Sequence, residues 1–295
     1  MSRLWIPGGR GMLGTRLAVD AAASHDVVVT DRDTDITDRA AVAAFLDAHH
    51  PECIAMCAAW TAVDQAEQEP DAAFAANATG PRVVAEEAAR RGIRMVHVST
   101  DYVFDGLADR PLTEEDPVGP VSVYGRSKLA GERAVIEQGG LVVRTSWLYA
   151  ATHKNFVLTM LRLMAEREQL RVVGDQRGRP TSVATLSSAL LKLIDVGAAG
   201  VVHVADDAGP RGISWHDFAV AIREGAIARA LPMKTTAIEA IATSDYPTPA
   251  ARPAWSVFDT AKYTRLTGEA LPPWQERLHE VLDVLVRPHP PAPSP

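Results

Sequence analysis

The sequence predicts an α/β protein, a doubly wound parallel sheet followed by a smaller C-terminal domain. Three observations support this fold class. Short β-branched runs alternate with helical patterns through the first half of the 295-residue chain. A glycine-rich loop joins the first run to the first helical pattern. After about residue 150 the alternation weakens and helical patterns predominate.

The elements of the first half follow from local patterns. Short apolar or β-branched runs predict strands at Leu4–Pro7, Asp26–Thr30, Cys53–Ala58, Ile93–Ser99 and Leu141–Arg144. Helical patterns lie between them, at Thr15–Ala23, Asp38–His50, Pro81–Arg91 and Ser127–Glu137. Asp38 suits an N-terminal cap, and Pro81 suits a first helical turn. Strands that alternate with helices form a parallel sheet covered on both faces.

The second half predicts helices at Asn155–Glu166, Ser182–Asp195 and Trp215–Ala228, with strands at Leu170–Val173 and Val201–Val204. The last strand is expected to return to the main sheet. Residues 243–252 (TSDYPTPAAR) are too rich in proline for regular structure. We therefore expect a domain at 1–150 with a returning strand near 200–205, an interleaved domain at 151–286, and a disordered tail at 287–295.

Composition narrows the class of protein. Hydrophobic residues make up 47% of the chain and charged residues 23%, as in a soluble globular enzyme. The net charge is −7 and no basic cluster occurs, so we expect no nucleic-acid partner. No signal-peptide pattern or 18-residue apolar stretch is present, which favours a cytoplasmic protein without membrane contact. Cys53 and Cys57 lie in an apolar run and are interpreted as core residues, not as a disulfide or metal pair.

The glycine loop predicts a dinucleotide site of the Rossmann type. Gly8, Gly11 and Gly14 directly follow the first strand and precede a helix. Glycines allow the tight turn and let backbone N–H groups approach a pyrophosphate, which the helix N-terminus also favours. The predicted cofactor site also includes residues beside the loop and after the third strand, namely Met12, Leu13, Ala58 and Ala59.

The end of the second strand bears on the choice of cofactor. Asp31 can accept hydrogen bonds from the adenosine ribose and favours NADH, whereas Arg32 can pair with a 2′-phosphate and favours NADPH. Both are present, so the sequence leaves NADPH or NADH open. Asp35 and Ile36 follow in TDITD and are candidates to flank the adenine.

A tyrosine and a lysine supply candidate catalytic groups. Tyr124 and Lys128 are four residues apart at a helix start, which places both on one face. An ammonium beside a phenol is expected to lower the phenol's pKa, so that the phenol can exchange a proton with a carbonyl oxygen. Thr100 ends the fourth strand, where ligands bind in this architecture, and can hydrogen-bond the same carbonyl.

These features together resemble the extended short-chain dehydrogenase/reductase superfamily. Further stretches are similar to the dTDP-4-dehydrorhamnose reductase family: CAAWTAVDQAE (57–67), STDYVFDG (99–106), YGRSKLAGE (124–132), RTSWLYA (144–150), DQRGRPT (175–181) and SDYPTPAARPA (244–254). The resemblance runs in order through nearly the whole chain, and STDYVFDG with YGRSK is its most specific part.

The resemblance implies a reduction of the C4 keto group of a dTDP-4-keto-6-deoxysugar. Thr100, Tyr124 and Lys128 would be the catalytic residues, with Tyr124 as proton donor and Lys128 holding the nicotinamide ribose. The substrate would be bound by Thr61, Val63, Thr100, Asp101, Trp147, Arg179 and Arg252. A planar guanidinium suits a diphosphate. Trp147 could instead be a core residue with no role in substrate binding, and Arg252 could instead be an ordinary surface residue.

Three residues depart from the family pattern. Trp60 replaces a usual Tyr, Trp255 replaces a common Asn, and Arg16 replaces a Glu that some members use in a dimer-bridging magnesium site. We therefore expect no metal site, and a monomer or a metal-independent homodimer. The alternatives to dTDP-rhamnose formation are a ketoreductase for another dTDP-deoxysugar and a non-catalytic regulatory subunit similar to the methionine adenosyltransferase β-subunit.

Overall fold

The β-branched runs of the N-terminal half form the strands of a central sheet in the computed structural model, which describes residues 1–286. The predicted disordered tail at 287–295 lies outside the described residues. The first elements are β1 (Ser2–Pro7), α1 (Met12–Ala21), β2 (His25–Thr30), α2 (Arg39–His49) and β3 (Cys53–Met56). They are followed by α3 (Val63–Ala66), α4 (Pro70–Phe74), a π-helical turn (Ala75–Thr79), α5 (Gly80–Arg90) and β4 (Arg94–Thr100).

The chain then passes from the sheet into the second domain and back. A 3₁₀ turn (Asp101–Val103) precedes α6 (Val123–Glu137), β5 (Leu141–Thr145), β6 (Leu148–Tyr149) and α7 (Phe156–Glu166). Next come β7 (Gln169–Val173), β8 (Arg177–Gly178), β9 (Thr181–Ser182), α8 (Val183–Asp195) and β10 (Gly200–His203). The last elements are β11 (Ile213–Ser214), α9 (Trp215–Ile227), β12 (Ala237–Ile241), a 3₁₀ turn (Thr243–Asp245), α10 (Ala261–Thr267) and α11 (Trp274–Val286).

Six strands form one parallel sheet in the order β10-β5-β4-β3-β1-β2. The predicted α/β class and doubly wound sheet are confirmed. The winding direction reverses between β1 and β3, and in such sheets ligands bind in the crevice at the carboxyl ends of the strands where the order reverses. This topology places the glycine loop after β1 beside the residues that follow β3.

Helices cover both faces of the sheet. On one face, α1 and α8 contribute Leu17, Leu186 and Leu190 to a core that includes strand residues of β1 and β5. On the other face, α2 and α5 contribute Val42 and Val84 to a second core. The strands are therefore buried from both sides, as their continuous apolar composition indicates.

A third core lies in the C-terminal part of the chain. Helices α7, α9 and α11 pack around Tyr149, Phe218 and Trp274, and the parallel pair β7–β12 lies beside them. Within residues 1–286, no helix combines the length and apolar character needed to cross a membrane. Cys53 is buried in β3 and Cys57 lies just beyond that strand, both as free thiols.

The sequence predictions of single elements need several corrections, and they missed the helices α10 and α11 and the two-residue strands β6, β8, β9 and β11 altogether. Helix α1 starts at Met12, three residues before its predicted start, because the helix follows the glycine turn at once. The predictions missed α3 and α4, which are only four and five residues long. They also missed β12, whose residues AIEAI become a strand by pairing with β7. The proline-rich segment does contain a 3₁₀ turn at its start. The cap at Asp38 is confirmed, since its carboxylate accepts from Ala40 N at 2.8 Å.

Helix α1 offers a matched test of the core on the first face of the sheet. Leu17 is fully buried, whereas Val19 on the same helix is 70% exposed. We expect Leu17→Ala to lower the free energy of unfolding by about 2–5 kcal/mol, because it leaves a cavity, and Val19→Ala to change it by less than about 0.5 kcal/mol. Urea unfolding of both variants measures this. Equal effects would show that α1 does not pack on the sheet as described.

Candidate active site

The glycine loop makes two close backbone approaches that exclude a side chain. Gly8 has a φ of +79°, and a Cβ there would lie 2.4 Å from the backbone nitrogen of Ala58. A Cβ on Gly14 would lie 2.3 Å from the carbonyl oxygen of Gly8. Gly8 N and Gly9 N both donate to the carbonyl of Thr30, at 2.9 and 3.0 Å. The loop is therefore held between the end of β2 and the residues after β3.

The start of α1 has the properties of an anion site. Gly11 is the N-terminal cap residue and provides no side-chain hydrogen bond to the first amides of the ten-residue helix. Leu13 is buried in the core, and Met12 packs against that core. Uncapped N–H groups and the positive end of the helix dipole suit a pyrophosphate. The residues present thus fit the dinucleotide that the sequence predicts, with Ala58 and Ala59 at the adjacent strand end.

The charged residues after β2 lie at the far end of this crevice. The backbone N–H of Asp31 donates to Asp33 at 2.7 Å. Arg32 is exposed and forms no ion pair with any residue from 1 to 286. Arg10 lies between two loop glycines, and its guanidinium contributes to lowering the pKa of Asp33, after backbone hydrogen bonds. Two guanidinium groups are thus available near the end of β2, of which the sequence predictions included only Arg32.

Asp35 and Ile36 lie beyond this charged turn. The Asp35 carboxylate accepts from the Thr37 backbone at 2.9 Å and caps the local turn. The Ile36 side chain packs directly over Gly80 at the start of α5. Ile36 therefore provides an apolar surface on this side of the crevice, while Asp35 serves the local backbone.

Thr100, Tyr124 and Lys128 come together at the carboxyl end of β4. All three are buried, and Lys128 is only 2% exposed. The Lys128 ammonium donates to Val98 O at 2.7 Å and contacts His97 Nε2 at 3.2 Å. Thr100 Oγ1 donates to Asp101 Oδ1 at 3.0 Å, and its hydroxyl also interacts with the Tyr124 hydroxyl. The structure therefore brings the three predicted residues together.

The electrostatics of the free site differ from the prediction. Burial raises the pKa of Tyr124 to about 12, although its hydrogen bond with Thr100 acts in the opposite direction. The net pKa shift of Tyr124 in the free protein is therefore upward, opposite to the direction expected from a neighbouring ammonium. Burial also lowers the pKa of Lys128 to about 8 and raises that of Asp101 to about 6. Tyr124 is thus a protonated phenol at neutral pH, which is the form a proton donor needs.

Helix α6 is held in place by charged and polar contacts at both ends. Ser122 caps it by accepting from Gly125 N at 3.1 Å, and Glu67 accepts from Val123 N at 2.7 Å. Two turns after Tyr124, Glu132 forms a buried ion pair with Arg144 of β5 at 2.7 Å. These contacts fix the helix that carries both Tyr124 and Lys128.

Asn77 is a buried connector that the sequence predictions missed. It lies in the π-helical turn and is fully buried. Its side chain donates to Ser127 Oγ on α6 and to the Trp60 carbonyl, both at 3.0 Å, and accepts from Trp60 N at 2.8 Å. It therefore ties the segment after β3 to α6. The polar residue in an otherwise apolar FAANATGP run is a signal that could have identified it.

The predicted substrate residues after β3 lie in different environments. Val63 packs in the cluster around Tyr124, together with Trp60 and Tyr102. Thr61 is exposed beside it. The Trp60 indole donates to Ala62 O at 3.1 Å. Val63 is therefore close to the catalytic group, and Thr61 lies at the open side of the same segment.

Trp147 has a left-handed backbone with a φ of +49°. Its ring stacks on Trp215 with centroids 3.5 Å apart and planes 9° apart, and Trp215 in turn contacts Phe156 at 4.6 Å. Phe156 and Trp215 line a cleft of about 640 Å³. Tyr246 and Arg252 also line it. One face of Trp147 is therefore already occupied, and Trp215, which the sequence predictions missed, borders the cleft.

Arg179 is a buried guanidinium with incomplete partners. Its Nη2 donates to Gly209 O at 3.0 Å, while Asp207 lies 3.7 Å from Nη1. Its Nε atom is buried and has no hydrogen-bond partner in the part of the chain that the structure describes. A buried cation with an unpaired donor suits an anionic ligand.

Arg252 is engaged with another residue in the free protein. Its two terminal nitrogens donate to both carboxylate oxygens of Asp64, at 3.1 and 2.9 Å. It also donates to Ala250 O at 2.9 Å and to Thr248. This bidentate pair lowers the pKa of Asp64. Any anion that takes Arg252 must compete with Asp64.

Each of the three residues that depart from the family pattern bonds to another residue of the protein, Trp60 through its indole to Ala62 O. Trp255 donates to Arg110 O at 2.7 Å, and Arg16 pairs with Asp20 at 2.7 Å within α1. Asp20 also accepts from Ser187 of α8 at 2.7 Å. Among the described residues, no group of three or more His, Cys, Asp or Glu side chains is arranged to hold a metal ion.

Comparison with known proteins gives consistent matches. The family model "RmlD substrate binding domain" matches residues 2–287. The dTDP-4-dehydrorhamnose reductase of Aggregatibacter actinomycetemcomitans is 38% identical, over 95% of this chain and 98% of the relative. A dTDP-4-keto-6-deoxy-D-glucose reductase of Streptomyces niveus is 42% identical, over 74% of this chain and 77% of the relative. The Bacillus anthracis dTDP-4-dehydrorhamnose reductase in complex with NADP is 38% identical with a TM-score of 0.89, covering 96% of this chain and 100% of the other.

The glycine loop yields a direct test of the cofactor crevice. A Gly14→Ala side chain would collide with backbone, which cannot rotate away. We expect this variant to weaken NADPH binding at least about tenfold, a change of about 1.4 kcal/mol, while the protein remains folded. Gly119→Ala is the control, because its Cβ would meet only ordinary contacts from Asp105 at 3.4 Å. Fluorescence titration with NADPH compares the two. Unchanged affinity in Gly14→Ala would place the cofactor elsewhere.

Proposed function

The chain belongs to the RmlD substrate binding domain family, which includes dTDP-4-dehydrorhamnose reductases, and on this premise we propose that it reduces dTDP-4-dehydrorhamnose to dTDP-rhamnose with NADPH. The observation that carries the proposal is the convergence of Thr100, Tyr124 and Lys128 at the carboxyl end of β4. This group lies at the same carboxyl edge of the sheet as the glycine loop. The cleft of about 640 Å³ is lined by residues of the second domain.

NADPH supplies the hydride when it is bound. The uncapped start of α1 and the close approach of Gly8 to Ala58 accommodate its pyrophosphate. The exposed, unpaired Arg32 favours a cofactor with a 2′-phosphate. Asp31 beside it keeps NADH usable, because a carboxylate can accept from both ribose hydroxyls.

Each catalytic residue has a different role in the reduction of the keto sugar. Tyr124 holds a proton on its hydroxyl at neutral pH, since burial raises its pKa, and donates that proton to the C4 oxygen. Thr100 orients the same oxygen through its hydroxyl. Lys128, a buried cation, stabilises the phenolate left on Tyr124, and the gain is large because the site excludes water. In the free protein Asp101 accepts the single O–H of Thr100, so this donor must turn from Asp101 to the C4 oxygen when the keto sugar binds.

The dTDP part supplies most of the binding energy in this proposal. A diphosphate would attract Arg252, which lines the cleft, and the buried Arg179 offers an unpaired Nε donor. The base lies against the aromatic side of the cleft, where Phe156 and Trp215 are located. Val63 forms the wall on the Tyr124 side, with the exposed Thr61 two residues before it. Trp147 stacks on Trp215 and supports its ring.

A second candidate is the reduction of another dTDP-4-keto-6-deoxysugar. The 42% identity to the Streptomyces niveus dTDP-4-keto-6-deoxy-D-glucose reductase favours it, as do Trp60 and Trp255 at positions where the family pattern differs. Both reactions use the same chemistry and differ in the configuration of the sugar. We further propose that the protein acts in the cytoplasm, as a monomer or as a homodimer that needs no metal, since Arg16 is committed to Asp20.

Product identification tests the function. We expect the purified protein with NADPH to convert dTDP-4-dehydrorhamnose to dTDP-rhamnose, as followed by NMR. Tyr124→Phe should retain NADPH binding but lose about 10²–10⁴ in kcat, because it removes the proton donor. The dTDP-4-keto-6-deoxy-D-glucose isomer serves as the competing substrate. Faster turnover of that isomer would favour the second candidate, and near-wild-type turnover by Tyr124→Phe would exclude the proposed mechanism.

The Asp64–Arg252 pair predicts opposite effects of two substitutions on dTDP binding. Arg252→Ala removes the guanidinium and should lose about 1.5–3 kcal/mol of affinity, as for a charged hydrogen bond. Asp64→Asn removes only the competing charge and should bind dTDP as tightly as the wild type or more tightly. Calorimetric titration with dTDP measures both. If Arg252→Ala binds dTDP like the wild type, Arg252 does not contact the ligand and the ion pair only joins the two domains.

A further inference from the structure

Lys128 is held in an unusual environment for a cation. It is buried between α6 and β4, and an ammonium has three N–H donors. One donor reaches Val98 O at 2.7 Å, and a second faces His97 Nε2 at 3.2 Å. The third has no acceptor among the protein groups of residues 1–286. The two contacts on the β4 side therefore determine where this remaining donor points.

His97 can contribute to this arrangement only as a neutral acceptor. An ammonium has no lone pair, so the hydrogen bond requires a lone pair on Nε2 and the ring proton on Nδ1. His97 is fully buried, and both burial and the nearby Lys128 charge lower its pKa. Its Nδ1 atom has no hydrogen-bond partner within the described chain. An unpaired buried N–H is unfavourable for folding. Hydrogen bonding at Nδ1 therefore does not explain why the imidazole lies here, and the contact of Nε2 with Lys128 is its one polar contact within the described residues.

We infer that His97 is a positioning residue, whose neutral Nε2 accepts one N–H of Lys128 and thereby directs the remaining N–H towards the cofactor and Tyr124. This inference rests on the proposed function, because it assumes that Lys128 binds the cofactor. His97 does not relay protons, since the unpartnered Nδ1 offers no onward path within the described residues. It acts on the reaction only through Lys128.

The charged surroundings of Lys128 fix the sign of the expected pH effect. The groups that face it are His97 from β4, Cys57 after β3, and Tyr124 and Glu132 from α6. Glu132 is in turn neutralised by Arg144 of β5. Burial lowers the pKa of Lys128 to about 8, while Glu132 acts in the opposite direction. Removal of an acceptor destabilises the ammonium further, so the pKa of Lys128 falls and cofactor binding is lost at a lower pH.

The inference is tested by substitutions of His97 that differ in whether they offer Lys128 a hydrogen-bond acceptor. In His97→Gln the amide oxygen can occupy the position of Nε2. In His97→Met the volume is kept without an acceptor, and in His97→Asn the amide is too short to reach Lys128. The Kd for NADPH is measured by fluorescence from pH 6.5 to 10, alongside kcat, the KM for the keto sugar and the thermal midpoint of each variant.

We expect the Met and Asn variants to bind NADPH about 10- to 100-fold more weakly, as for the loss of a hydrogen bond to a charged group. The pH at which binding is half lost should fall by about one unit or more, and kcat should fall with little change in the sugar KM. His97→Gln should stay within about threefold of the wild type. If either the Met or the Asn variant folds and shares the affinity and pH profile of His97→Gln, the inference is wrong. If the wild type itself does not bind NADPH, the proposed function fails instead.

Discussion

The burial of two cations on one side of the sheet is the constraint on which the candidate site depends. Lys128 and Arg144 both lie in the packing between α6 and the strands, and a buried charge must be matched by acceptors. Glu132 forms an ion pair with Arg144, while Val98 O and His97 accept two of the three N–H donors of Lys128. Each match joins α6 to a strand of the sheet. The helix therefore has little freedom to slide, and Tyr124, one turn before Lys128, is held over the end of β4.

The sheet topology provides the candidate cofactor crevice, which is the other part of the site. The reversal between β1 and β3 opens a crevice that the glycine loop enters, and close backbone contacts leave no room for side chains there. The substrate side of the site contains two arginines in different environments. Arg179 is buried with an unmatched donor, whereas Arg252 is paired with Asp64 until something competes for it. The substrate side is thus partly preformed and partly satisfied within the free protein.

The sequence predicted what depends on local pattern and spacing. The β-branched runs predicted the sheet, while the glycine loop and the pair Tyr124–Lys128 at helical spacing predicted the candidate cofactor crevice and the candidate catalytic group. It could not predict β12, because AIEAI forms a strand only through β7. It also missed His97, Asn77 and Trp215, whose partners lie 17 or more residues away in sequence. The direction of the pKa shift of Tyr124 in the free protein differs from the expectation for a related reason, since helical spacing reveals a neighbouring ammonium but not the burial, which is the largest cause of the shift.

The return of β10 to the sheet has a consequence for how the chain can be divided. β10 pairs with β5 along its whole length, from Gly200 with Leu141 to His203 with Arg144. A fragment ending near residue 150 would leave β5 as an exposed edge strand with unpaired backbone groups and the apolar side chains Val142 and Val143. Such edges recruit other strands and promote aggregation. The nucleotide-binding half is therefore not an autonomous folding unit, and its sheet is completed only after the polypeptide has passed through the other domain.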